Sequence, residues 1–248
     1  MLWYKMWRES RTRFVISAAA LLWLCGVVVL LQRQVRTHAG EPLSYAQYIW
    51  NAVYKANALD LYILLVIVLG LGGVLQERAQ GTAGFTLSLP VGRWRLTGAR
   101  AVMGLLQVAV LALLPALMIP LLSPFVGEAY PFAYALQFSL LWAGCGMVVY
   151  ALAFFFSIIL PGSYSPAIAS VAALSIYSVL ADLPVLERHP ALDLIDTMHG
   201  ARLSTFHGEG SLAALVTPLP WMALGLYALV TLGLVGTAGA ITARRDFS

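Results

Sequence analysis

The sequence predicts an all-α polytopic membrane protein with six transmembrane helices, in a single domain covering residues 1–248. Three observations predict it. The first is composition: of 248 residues, 60% are hydrophobic and only 10% charged, with a mean hydropathy of +0.83. A soluble domain carries about 25% charged residues, and a chain of this size still has to cover its surface with polar groups. The second is a set of six apolar runs, at about 14–31, 59–75, 99–122, 133–160, 164–181 and 219–241. Each approaches the roughly 20 residues that cross about 30 Å of hydrocarbon. The third is charge asymmetry. With the N-terminus inside, the inner segments hold Lys5, Arg8, Arg11, Arg13, Arg78, Arg93, Arg95, Arg100, Arg244 and Arg245, against Glu9, Glu77 and Asp246. The remaining basic residues are outnumbered by acids on the outer side. That distribution obeys the positive-inside rule and puts both termini in the cytosol.

The elements follow in order. Residues 1–13 read MLWYKMWRESRTR. Trp3, Tyr4 and Trp7 fall on one helical face, and Lys5, Arg8 and Arg11 lie largely off it. This predicts an interfacial amphipathic helix, with aromatics at headgroup depth and cations toward anionic lipid. A flank that only fixes orientation by its charge is the plainer alternative. The run Phe14–Leu31 exceeds the h-region of a signal peptide, about 7–15 residues, and no small-x-small site follows it, so an uncleaved first span is expected.

The outer segment 32–58 contains Tyr45, Tyr48, Trp50 and Tyr54, which read as interface aromatics; a helix leading into the second span would present them. The third span holds Pro115 and Pro120, which predict a kink or an early stop. The fourth is long enough to tilt. The turn Pro161–Pro166 ends one span and opens the next. The outer loop 182–218 contains the runs LIDTMH and SLAALVTP, too short to span, and short re-entrant or interfacial helices are expected there. There is no convincing internal repeat, so an inverted-repeat carrier gains no support.

Chemistry is constrained mainly by absences. The chain has two cysteines, Cys25 and Cys145, both inside apolar runs, so neither a disulfide framework nor a metal spacing follows. No phosphate loop is present: Lys5 and Lys55 are the only lysines, and each follows a tyrosine. H-E-x-x-H and G-x-S-x-G are also missing. Span interiors lack the relay of ionisable residues that ion-coupled transport uses. Asp60, roughly 22 Å up the second span, reads as an interfacial acid or helix cap rather than a pathway residue. The outer loop carries His189, Asp193, Asp196, His199 and His207. Their spacing fits either a metal site or a solvated acidic loop. Pro190 interrupts the first turn and favours the loop, so no metal site is assigned.

The most charged interruption between apolar runs is the segment 76–98. Glu77 and Arg78 end the second span at the inner headgroups. Gly81 and Gly84 permit bends. Phe85, Leu87, Leu89 and Val91 alternate with Thr86, Ser88 and Pro90, which by period alone is a strand. An unpaired strand at a membrane surface leaves backbone groups unsatisfied, whereas a helix over 78–88 satisfies its own. Pro90 and Gly92 then turn the chain, and Arg93, Trp94 and Arg95 anchor it. The patch Phe85, Leu87 and Leu89 is one that an ordinary charged loop has no reason to expose.

An acid ending the second span, then Gly81-Thr82, then Leu87-Ser88-Leu89-Pro90-Val91-Gly92-Arg93, then Arg100 opening the third span, resembles the coupling region of ATP-binding-cassette transporter permeases of the type-2 export class. The sequence-specific part covers about twenty-five residues, and the six spans, basic-aromatic N-terminus and long last outer loop agree in architecture. The family often has lysine where Arg100 stands. The resemblance implies a permease subunit that is not itself an enzyme. It has no cofactor of its own, and ATP and magnesium are bound by two copies of a separate ATPase subunit. A second permease chain completes the pathway. Docking falls to Phe85, Leu87 and Leu89, and Glu77, Arg78, Gly81, Thr82, Pro90 and Arg93 shape and position the coupling helix. The implied setting is the plasma membrane of a prokaryote, with membrane lipids and no nucleic acid as further partners, and a hydrophobic or amphipathic substrate exported. A lipid-modifying membrane enzyme acting through the Asp/His loop, and a non-ABC transporter or scaffold, are the alternative readings.

Overall fold

The structure, a computed structural model, describes residues 2–32, 44–71, 92–162, 164–181, 192–200, 204–205, 214–215 and 219–244. The described chain is largely helical, and five of its helices are long and apolar enough to cross a membrane. α1 is Leu2–Leu30. α2, Tyr45–Ile49, continues through a π-helical turn, Trp50–Lys55, into α3, Asn57–Gly70. α4 is Arg93–Leu122, followed by a 3-10 turn over Ser123–Val126. α5 is Phe132–Ile159, α6 Ser165–Ala181, α7 Leu194–His199 and α8 Trp221–Arg244. Between α7 and α8, β1 (Ser204–Thr205) pairs antiparallel with β2 (Ala214–Leu215).

Four features depart from the sequence reading. A lying helix over 1–13 and a separate span from residue 14 were expected. One helix runs through both instead, because no proline or glycine falls between Leu2 and Cys25 to interrupt it. The second span begins earlier and ends at Gly70, where Leu71 turns extended (ψ 110°). Of the kink or early stop expected at Pro115 and Pro120, the stop does not occur: both lie inside α4, and apolar surroundings tolerate proline where neighbouring helices cover the freed carbonyls. In the last loop, LIDTMH is a short helix, but Ala214–Leu215 pairs as a strand instead of joining a second one.

The spans otherwise fall close to the apolar runs. α6 is the exception in length: its 17 residues rise about 26 Å, against about 30 Å of hydrocarbon.

α5 is the centre of the bundle. It has no charged residue, it is the most buried of the long helices, and it packs against α3, α4, α6 and α8. Phe138, Leu141, Trp142, Cys145, Tyr150 and Phe154 are buried to within 1%. A helix apolar on every side belongs inside a bundle rather than on its surface. Small residues let its neighbours come close. The Tyr62 hydroxyl of α3 donates to the Trp142 carbonyl at 3.0 Å, and its ring stacks on the indole at 4.9 Å. That carbonyl belongs to the residue one turn before Gly146, where a methyl group would overlap the Tyr62 hydroxyl. The same arrangement recurs at Tyr150, whose hydroxyl donates to the Arg100 carbonyl at 3.4 Å over Gly104, which likewise has no room for a methyl.

Gly146→Ala forces the two helices apart or the tyrosine off its carbonyl, an overpacking cost of about 1–3 kcal/mol. The expected result is a lower thermal unfolding midpoint in detergent, with part of the loss recovered in the Gly146→Ala/Tyr62→Phe double variant.

Candidate functional site

At one end of the bundle, α1, α3 and α4 meet through polar side chains. The start of α1 places Lys5, Glu9 and Arg13 at successive i, i+4 positions, hence on one face. That face turns to α4. Glu9 bridges two cations: Arg100 Nη2 donates to its Oε2 at 3.1 Å, and Lys5 Nζ lies 3.6 Å from its Oε1. Two turns further along α4, Gln107 Nε2 donates to Ser10 Oγ at 2.7 Å, and Ser10 Oγ donates to the Met6 carbonyl at 2.9 Å. A small apolar cluster of Met6, Leu96 and Ala99, with Met103 against it, closes the outer edge of this contact. Arg13 reaches across to α3, donating from Nη1 to the carbonyl of Leu71. Leu71 caps the C-terminus of α3. A helix end leaves its last carbonyls without partners and carries partial negative charge, so a guanidinium is a fitting donor there.

The junction frames the segment 72–91 on both sides, since Leu71 precedes it and α4 follows it. Glu77, Arg78, Gly81, Thr82, Phe85, Leu87, Leu89 and Pro90 lie outside the described residues. Arg93 opens α4 behind the Gly92 cap, and its side chain is also outside the description. Trp94 is exposed yet lays its ring against Gly239 near the end of α8, where a methyl would collide with it. The ends of α1 and α8 that carry Leu2 and Arg244 therefore lie at the same end of the bundle. Of the residues on the basic-aromatic flank, Trp3, Tyr4, Trp7, Arg8 and Arg11 are exposed, and Lys5 is partly buried in its pair with Glu9. Trp7 and Phe14 make a ring contact at 5.9 Å.

Sequence reasoning picked out the flank's cations and aromatics but not Glu9, Ser10, Arg13 and Gln107 as a joined set. The i, i+4 spacing of Lys5, Glu9 and Arg13 was the available signal. Gln107, one polar residue in an apolar run, offered no indication of its partner.

The opposite end is built from aromatics and the short α7. Trp50 Nε1 donates to the His199 carbonyl at 3.0 Å, and Lys55 Nζ lies 5.2 Å from the Trp50 ring centre. Asp193 caps α7 by accepting from the Asp196 amide at 2.9 Å. Tyr227 of α8 holds this cap through Thr197, 3.1 Å between hydroxyls. Asp60 is exposed in the first turn of α3, in keeping with an acid at a helix start. His189 and His207 lie outside the described residues, and among the described ones no group of three or more His, Cys, Asp or Glu forms a metal cluster. Burial holds the half-buried His199 below the ordinary histidine range, opposed by the nearby Asp196 carboxylate and reinforced by Lys55.

No protein-family model matches this chain, and no curated protein matches it.

Two outcomes follow from this geometry. Arg100→Glu sets two acids against each other and loosens α1 from α4. The swap Glu9→Arg/Arg100→Glu restores the attraction, so the double variant unfolds at a higher temperature than either single one. As the pair is partly exposed, the recovery is modest, on the order of 0.2–1 kcal/mol. At the other end, a histidine with a depressed folded pKa contributes stability that is complete above its unfolded value, about 6.5, and is lost as pH falls below it. The thermal midpoint should decline as pH falls below about 6.5, and His199→Gln should flatten that decline.

Proposed function

We propose that this chain is the permease subunit of an ATP-binding-cassette transporter of the type-2 export class. In this reading it has six spans, α6 being the fifth, and both termini lie in the cytosol of a prokaryotic cell. Two such chains form a pathway for a hydrophobic or amphipathic substrate. ATP and magnesium are bound by two copies of a separate ATPase subunit, and the chain itself is not an enzyme.

One observation carries the reading. The motif of Glu77, Gly81-Thr82 and Leu87–Arg93 falls between two helices whose facing ends are both tied to α1, α3 through Arg13 and the Leu71 carbonyl, α4 through Arg100 and Glu9. A segment rooted in this way passes a push on its apolar patch to three helices together. The uncharged interior of α5 suits an apolar cargo. The absence of a phosphate loop from the sequence leaves the energy source to a partner.

The test is Phe85→Asp, which puts a charge on the proposed docking patch. The expected result is that ATPase co-purification falls while membrane insertion is retained. Unchanged co-purification together with unchanged transport would refute the coupling assignment.

A further inference from the structure

α1 carries a charged face that its junction with α4 does not use. Met6, Ser10 and Arg13 are spaced three or four residues apart and turn inward, Met6 into its apolar cluster, Ser10 to Gln107 and Arg13 to the Leu71 carbonyl. Tyr4, Trp7, Arg8 and Arg11 have the same spacing on the other side of the helix, and all four are exposed. The sequence pattern set the aromatics and the cations on separate faces. The structure sorts them differently: Lys5 is drawn to Glu9, and the two arginines share their face with the two rings.

Depth gives this face its chemistry. α1 has 29 residues, a rise of about 43 Å against about 30 Å of hydrocarbon. Counted back from Leu30, the hydrocarbon ends near Arg11. Arg8 stands about 4–5 Å beyond, inside a headgroup layer about 5–7 Å deep. Side chains on a helix lean toward its N-terminus, so both guanidiniums are carried out of the hydrocarbon into that layer. Tyrosine and tryptophan settle at the same level.

Charge narrows the ligand. Among the described residues, the one acid at this end of the bundle is Glu9, and it is engaged by Lys5 and Arg100. Arg95 and Arg244 are exposed at the same end and add to the positive field. A guanidinium matches phosphate through two parallel N–H donations. A zwitterionic headgroup brings phosphate together with a cation that the arginines repel, whereas an anionic headgroup brings phosphate without it.

We propose that this face of α1 binds anionic phospholipid, with Arg8 and Arg11 on the phosphate and Tyr4 and Trp7 beside the headgroup. The inference requires α1 to cross a bilayer, but neither the six-span count nor an ATPase partner.

The experiment titrates the full-length protein in detergent with phosphatidylglycerol or phosphatidylcholine and counts bound lipid by native mass spectrometry. The wild-type protein should prefer phosphatidylglycerol. Each arginine removed should weaken that lipid roughly fivefold. Arg8→Gln/Arg11→Gln therefore loses most of the preference, and Arg95→Gln/Arg244→Gln, on α4 and α8, loses less. Arg8→Lys/Arg11→Lys keeps the charge and should retain part of the preference, which separates lost binding from a disturbed fold. Equal binding of the two lipids would overturn the proposal and make an acidic protein segment the better occupant. A double glutamine variant with the wild-type preference would also overturn it. So would displacement of the lipid by an equal concentration of glycerol phosphate, the mark of a site for free phosphate.

Discussion

The bundle depends on how closely its helices approach α5, and that approach is governed by hydroxyls landing on carbonyls. A helix carbonyl already accepts one bond from the amide four residues on; its second lone pair is free only where the next turn leaves space beside it. Gly146 and Gly104 provide that space, and Tyr62 and Tyr150 fill it. In an apolar medium the alternative for a tyrosine hydroxyl is no partner at all, which costs far more than the bond itself gains in water. The two contacts therefore fix both distance and register. They tie α3 to the middle of α5, and α5 to the first turns of α4.

The two ends of the molecule use different chemistry on this common frame. One end is held by ions and amides, with Glu9 shared between Lys5 and Arg100 and with Arg13 on the Leu71 carbonyl. The other is held by rings and short caps, with Trp50 on the His199 carbonyl and Tyr227 on the α7 cap. Charged contacts near water reorganise at little cost, while a desolvated aromatic cluster resists rearrangement. The ionic end is therefore the more readily rearranged of the two, and the aromatic end the more fixed.

Much of the helical architecture was legible in the sequence because apolar length is a direct consequence of the membrane as solvent. The runs at 99–122 and 133–160 differ from α4 and α5 by only a few residues at most boundaries. The boundary drawn at Arg13 did not survive, because a change in polarity does not interrupt a helix when no residue breaks the hydrogen-bond ladder. The prolines of α4 failed as stop signals for a related reason: breaking power is measured in water and is muted among packed helices. The candidate junction was half legible. Its cations were visible as an asymmetry of charge, but pairing across α1 and α4 joins residues 91 and 97 positions apart, and no local period encodes such a distance. The alternation at 85–91 remains a sequence observation alone, since those residues lie outside the described ones.

α6 has a consequence for the lipid rather than for the protein. In a six-span arrangement its 17 residues leave several ångströms of an average hydrocarbon layer unmatched. Ile168, Ile176 and Val179 project outward from it, so acyl chains must meet that shorter side. Hydrophobic mismatch of this kind is relieved by local thinning of the bilayer or by association with a neighbour, at fractions of a kcal/mol per ångström. In that six-span arrangement the perimeter is uneven, and membrane thickness acts on one flank of the molecule more than on the others.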